Sequence, residues 1–158
     1  MEDKLIVGWR EWVALPKLGI PALKAKIDTG ARTSALHVAD LESYREQRRR
    51  KARFTLHPLR KNQQVAIICS ADVIDERIVT DSGGRKEKRL VIRSPIRLAE
   101  WEWMIDITLT SREDMMFRML LGRTAMAGRL IVDPALSFEY GRTLRAHYRD
   151  WPRHCPQN

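Results

Sequence analysis

One short run of residues carries the functional groups for hydrolytic chemistry: Asp28-Thr29-Gly30, followed by Ala31, Arg32 and, a little later, Ser34 and His37. A single carboxylate at a tight turn is a poor catalyst. Two carboxylates held a few ångströms apart cannot both ionise, so they share a proton and one serves as base while the other serves as acid. Such a pair titrates as a unit and can activate water against an amide without a covalent intermediate. The triplet alone is weak evidence. It turns up by chance in a few per cent of chains this long, and Asp-x-Gly is also an ordinary turn, with aspartate opening it and glycine accepting unusual backbone angles.

The elements around the triplet must position it. Residues 22–27 alternate apolar and basic side chains (Leu23, Lys24, Ala25, Lys26, Ile27), the period of a half-buried strand. That strand runs directly into Asp28, and a second short strand, 34–38, leaves the turn. Upstream, 5–15 reads as strand-rich, broken at Pro16 and around Gly19. Downstream, 52–56, 64–73, 101–109, 119–121 and 130–132 read as strands, and 78–80 with 88–98 form a hairpin across Asp81-Ser82-Gly83-Gly84. Residues 123–127 make one helical turn before Gly128. The basic run in 41–51 reads as a solvated loop or short helix. The expected fold is all-β with little helix: a domain over 1–140 and a basic, poorly ordered tail over 141–158.

Composition narrows the class. The chain has 158 residues, 44% hydrophobic and 31% charged, which suits one globular domain. No apolar stretch approaches a membrane span and Met1-Glu2-Asp3-Lys4 does not open a signal segment, so no membrane association and a cytoplasmic location are expected. The formal charge of +9 favours acidic partners, whether nucleic acid, ribosome surface, anionic lipid or glutamate-rich protein. Cys69 reads as a small buried hydrophobe, and pairing with Cys155 is not expected.

Some ninety residues beyond the triplet lies Leu120-Leu121-Gly122-Arg123, then the short helical turn and another apolar strand. With this second signature the chain resembles the retropepsin-like aspartic peptidases. In that family Asp-Thr-Gly-Ala supplies the catalytic carboxylate, and two apolar residues plus Gly-Arg thread beneath it as a brace. The longer run from Lys26 through His37 is similar to a bacterial branch labelled ATP-dependent zinc protease, associated with an ATP-grasp ligase that adds glutamates to a ribosomal protein. The resemblance covers about residues 5–140. It implies a closed or partly closed acid-protease-type β-barrel with one lobe per chain. It implies Asp28, Thr29 and Gly30 as catalytic residues, with support from Ala31, Arg32, Ser34, His37, Leu121, Gly122 and Arg123. It also implies a flap at Ser82, Gly83 and Gly84.

Asp81-Ser82-Gly83 resembles a second catalytic triplet but follows the first too closely for another lobe, and no second brace follows it. The missing carboxylate is therefore expected from a second copy of the chain, Asp28 facing its mate across a two-fold axis. Viral members carry an acid two residues after the catalytic glycine to pair with the brace arginine. Here that position is Arg32, so Arg123 needs another partner, with Asp106, Glu113 and Asp114 as candidates. Arg32 also favours an acidic or glutamylated peptide or protein as substrate. His37, His57, His147 and His154 are scattered with no compact ligand spacing, so no metal is expected, and no phosphate-binding loop is present for ATP. The competing readings are a basic β-domain that binds RNA or the ribosome without catalysis, and a protease-like fold that regulates the glutamate ligase by contact.

Overall fold

The computed structural model describes residues 3–112, 115–141, 146, 148 and 149. Eleven strands and one helical turn follow in order: β1 Leu5–Val7, β2 Arg10–Leu15, β3 Ile20–Ile27, β4 Ser34–His37, β5 Ala39–Glu46, β6 Arg49–Leu56, β7 Ile67–Thr80, β8 Lys86–Leu98, β9 Trp101–Thr110, β10 Met119–Leu121, α1 Arg123–Met126 and β11 Leu130–Val132. A 3-10 turn at Pro16–Leu18 ends on Gly19, whose φ of 74° suits glycine, and reverses the chain from β2 into β3.

Nine strands form one sheet in the order β2-β3-β10-β4-β9-β8-β7-β6-β5. A further pairing of β2 with β8, through Ala14 and Arg97, brings the first and sixth strands of that order together. The result is a partly closed barrel with β7, β6 and β5 continuing outward as an arm. β1 and β11 form a separate parallel pair, Leu5 opposite Leu130. Closure explains the long apolar inventory: Leu15, Ile20, Leu23, Leu36, Ile92, Ile96, Ile107, Leu109 and Met119 are fully buried, drawn from six strands of the ring.

The sequence periods hold where one face is buried. In β9, Trp103, Ile105, Ile107 and Leu109 point inward as expected. Two readings are corrected. Residues 41–51 are not a loop or helix but most of a β-hairpin, with Tyr44 opposite Lys51 and Glu46 opposite Arg49. Its tip is Gln47-Arg48, both at positive φ (51° and 68°), a turn conformation usually announced by Asn-Gly or Asp-Gly. The basic side chains pair with acids of β7: Arg49 with Asp72 at 3.4 Å and Arg50 with Glu76 at 3.3 Å. Similarly, 64–73 and 78–80 are parts of one strand, β7, carried past an irregularity between Val73 and Asp75.

Among the described residues no helix is long and apolar enough to cross a membrane. Cys69 is a buried free thiol, which burial pushes up to about 12. Most of the segment 141–158, including His147, His154 and Cys155, lies outside the described residues. Tyr148 is within them and is buried, its hydroxyl accepting from the Ala22 amide at 3.1 Å and donating to the Ala22 carbonyl.

Candidate active site

β3 delivers Asp28 and β10 holds it. The Asp28 amide donates to the Leu121 carbonyl at 2.9 Å, and the Ala31 amide returns to the Asp28 carbonyl at 3.3 Å. β10 lies between β3, which it parallels with Leu121 opposite Ile27, and β4, which it opposes with Leu120 beside Ala35. The two strands flanking the turn are thus spliced by a strand from some ninety residues away. The carboxylate Oδ1 accepts from the Gly30 amide at 3.0 Å. No bond from the Thr29 hydroxyl reaches it; Thr29 contributes its carbonyl, which accepts from Arg123 Nη1 at 3.0 Å.

The brace is packed at backbone contact. A Cβ on Gly122 would stand 2.5 Å from the carbonyl carbon of Thr33 and 2.9 Å from the Arg32 oxygen, so only glycine fits. The Gly122 amide donates to Ser34 Oγ at 3.1 Å, and the amides of Arg123 and Thr124 donate to the carbonyls of Ala31 (2.8 Å) and Arg32 (3.0 Å). Ser34 is fully buried, and its own carbonyl accepts from Thr108 of β9 at 3.0 Å. The Leu121 side chain sits in the core, so it supports the turn through its carbonyl, while Leu120 faces the groove. Trp103 Nε1 donates to the Ala125 carbonyl at 3.0 Å and ties α1 to β9.

Among the described residues Arg123 therefore finds a backbone carbonyl and no acid. Of its three expected partners, Asp106 is taken by Arg93 at 2.8 Å and Arg77 at 3.4 Å, and Glu113 and Asp114 lie outside the described residues.

A groove of about 1100 Å³ opens beside Asp28. Gly30, Ala31, Arg32, Ala35 and His37 line it on the side of the turn, and Arg77 to Ser82 of the β7–β8 hairpin line the other. Ser82 thus faces the groove. Gly83 and Gly84 shape the hairpin end behind it, Gly84 with a φ of 82°. Asp81 folds that end: Oδ1 accepts from the amides of Gly83 and Arg85, both at 2.9 Å. These bonds, first that from Arg85, hold its carboxyl below the usual range. The triplet set aside on spacing is a hairpin turn.

Arginines the sequence reading did not single out gather here. Arg77, Arg89 and Arg112 line the groove with Arg32 and Arg123. Arg89 shares the inward phase of β8 with Val91, and a charged residue in the buried register of a strand was the available signal. Among the described residues no three His, Cys, Asp or Glu side chains are grouped to hold a metal.

Comparison with known proteins agrees with this geometry. Residues 6–143 match the model of the RimB-like family, described as retropepsin-like aspartic endopeptidase RimB. A Desulfotalea psychrophila protein named probable alpha-L-glutamate ligase is 45% identical over 138 residues, 87% of this chain and 30% of that protein. A Parasynechococcus marenigrum protein of the same name is 44% identical over 89% of the chain and 30% of its own length. The chain thus spans less than a third of these relatives. A crystal structure of a Legionella pneumophila protein of unknown function, 26% identical, superposes with a TM-score of 0.73 over 88% of this chain and all of that one. With its turn, brace and barrel matched by a family model over nearly its whole length, the chain belongs to the RimB-like family of retropepsin-like aspartic endopeptidases.

Proposed function

We propose that the chain is one half of an aspartic endopeptidase, completed when a second copy brings its own Asp28 beside the first. The carrying observation is the position of Asp28: just past the end of β3, on a half-exposed turn held by β4 and β10, lining a groove of about 1100 Å³. Each chain supplies one such carboxylate, so the proton-sharing pair requires two chains.

In the dyad the ionised carboxylate takes a proton from water, whose oxygen adds to the amide carbon, while the protonated partner gives its proton to the carbonyl oxygen. Collapse of the tetrahedral adduct breaks the C–N bond, the amine nitrogen takes the proton held by the first carboxylate, and a hydroxyl of the adduct returns its proton to the partner carboxylate as the C=O bond re-forms, restoring the shared-proton pair. Positioned proton transfer of this kind is worth about 10²–10⁴ in rate. The arginines of the groove suit substrates rich in glutamate or aspartate, since charge-assisted bonds to guanidinium are the strong ones. Arg32, exposed beside the turn, is the first of these.

The names of the relatives favour a second reading. Proteins called probable alpha-L-glutamate ligase contain this segment as under a third of their length, so the domain works alongside glutamate addition, either trimming glutamylated protein, a ribosomal protein included, or regulating a ligase by contact. Contact regulation needs the fold but not the carboxylate.

Asp28→Asn, assayed against acidic and neutral peptide libraries, separates the readings. Cleavage should vanish in the variant and survive chelators in the parent, with a dimer in sedimentation. An unaltered cleavage profile in Asp28→Asn rejects the peptidase reading.

A further inference from the structure

His37 ends β4 on the wall of the groove, away from the turn. Its side chain belongs to a residue only 4% exposed, and neither ring nitrogen completes a hydrogen bond of normal geometry. Leaving a buried polar ring unsatisfied costs about 1–3 kcal/mol, and such a group in a native structure calls for an explanation. The neighbours supply one. Arg89 of β8, Arg112 beyond β9 and Arg118 before β10 all surround the ring with positive charge. Among the described residues Glu87 is an acid of this corner; it accepts from the Thr110 hydroxyl at 3.2 Å and holds Arg89 Nε at 3.0 Å. Arg118 is pinned to the carbonyls of His57 and Met115, and Arg112 reaches Asp81 at 3.7 Å. Arg89 itself is buried except where it lines the groove.

We propose that this corner is a carboxylate-binding subsite of the groove, in which an acidic group of a bound peptide accepts hydrogen bonds from His37 and Arg89. The proposal rests on the peptidase reading only for the ligand being a peptide. β4 runs three residues from Ser34, beneath the turn, to His37, a span of about 10 Å at strand rise. The carboxylate is therefore recognised some three residues of extended chain away from the scissile bond, a position separate from Arg32.

Charge sets the protonation of the ring. Burial first, then the field of Arg89, Arg112 and Arg118, lowers His37 to about 4, with the Arg112 backbone offsetting part of this. The imidazole is neutral at pH 7. An arriving carboxylate reverses the local field and favours the imidazolium, so binding takes up a proton.

The Asp28→Asn chain, which leaves a bound peptide intact, permits a direct test by nitrogen NMR of the histidine rings. His37→Gln assigns the His37 signals. Three tetrapeptides serve as probes: Ala-Glu-Glu-Ala blocked at both ends, Ala-Gln-Gln-Ala with a free C-terminus, and Ala-Gln-Gln-Ala blocked at both ends. The His37 resonances should move, with an apparent pKa raised by one unit or more, for the first probe if side chains are read and for the second if the chain end is read. The doubly blocked glutamine peptide should leave them in place. Arg89→Gln should weaken the effective probe about tenfold. Unmoved resonances with both carboxylate probes, or equal movement with the blocked glutamine peptide, overturns the subsite. Cleavage without carboxylate dependence removes the subsite and leaves the peptidase. Carboxylate binding by a protein that cleaves nothing does the reverse.

Discussion

Two Asp-x-Gly turns in this chain begin with the same local chemistry. Asp28 Oδ1 accepts from the Gly30 amide at 3.0 Å, and Asp81 Oδ1 accepts from the Gly83 amide at 2.9 Å. Beyond that bond they diverge. The other hydrogen bonds of the Asp81 turn close within five residues: the Asp81 amide to the Arg85 carbonyl, the Gly84 amide to the Asp81 carbonyl, the Arg85 amide to the Asp81 carboxylate, with only a 3.7 Å ion pair to Arg112 from farther away among the described residues. The Asp28 turn is anchored from a distance, by Leu121, Gly122 and Arg123, with Ser34 beneath. The first arrangement makes a hairpin end that a surface strand pair needs. The second fixes a carboxylate on a rigid floor. Identical turn chemistry becomes a candidate site only where a remote strand is spliced under it.

The sharpest way to break this contrast is to neutralise each aspartate. Asp28→Asn should cut peptide cleavage by about 10²–10⁴-fold or more, whereas Asp81→Asn, whose amide oxygen still accepts at the turn, should cost less than tenfold. Steady-state kcat/KM on one acidic peptide checks both, and equal losses would erase the distinction. Next comes the splice. Gly122→Ala forces a methyl to 2.5 Å from the Thr33 backbone and should cost about 3 kcal/mol, read by urea unfolding. Gly84→Ala meets no atom but keeps a φ of 82° and should cost about 1 kcal/mol.

A pH test probes the wall between the two turns. His37 is lowered from 6.5 to about 4, so the unfolded chain binds the proton first as pH falls. The stability this neutral ring represents is fully present above pH 6.5 and lost progressively as pH drops from there to about 4. The loss amounts to about 3 kcal/mol. Denaturation midpoints of the parent and His37→Gln at pH 7 and pH 4 measure it: the parent should fall more steeply by roughly that amount, and parallel slopes would contradict it. The smallest expected effect is at Arg123, whose tether to the Thr29 carbonyl is exposed. Arg123→Met should loosen the turn and lower stability by about 1 kcal/mol.

Much of this was legible beforehand because it is periodic or local. The alternation in 22–27 and 101–109, the apolar 119–121, the turn glycines and the single helical turn follow from side-chain pattern and backbone freedom. The hairpin tip at Gln47-Arg48 was not legible, since neither residue signals positive φ and the run of arginines reads as a solvated surface. Its strand state depends on acids of β7 lying opposite. The bent β7 was split in two for a similar reason: an irregularity shifts the phase midway, and pattern reading stops there. At the site, Ser34 and Gly122 stood out by position in a familiar signature. Arg77 and Arg89 did not, because each is an ordinary strand charge until the barrel turns its face toward the groove.

The order of residues alone determined that β-strands would form and where a carboxylate-bearing turn would fall. These depend on short-range sterics and on which side chains leave water. The tertiary structure alone decided that Arg123 grips the Thr29 carbonyl, that Asp81 serves a hairpin end, and that His37 stands unsatisfied among three guanidiniums. Those outcomes depend on distances between strands far apart in the chain, which only closure of the barrel sets.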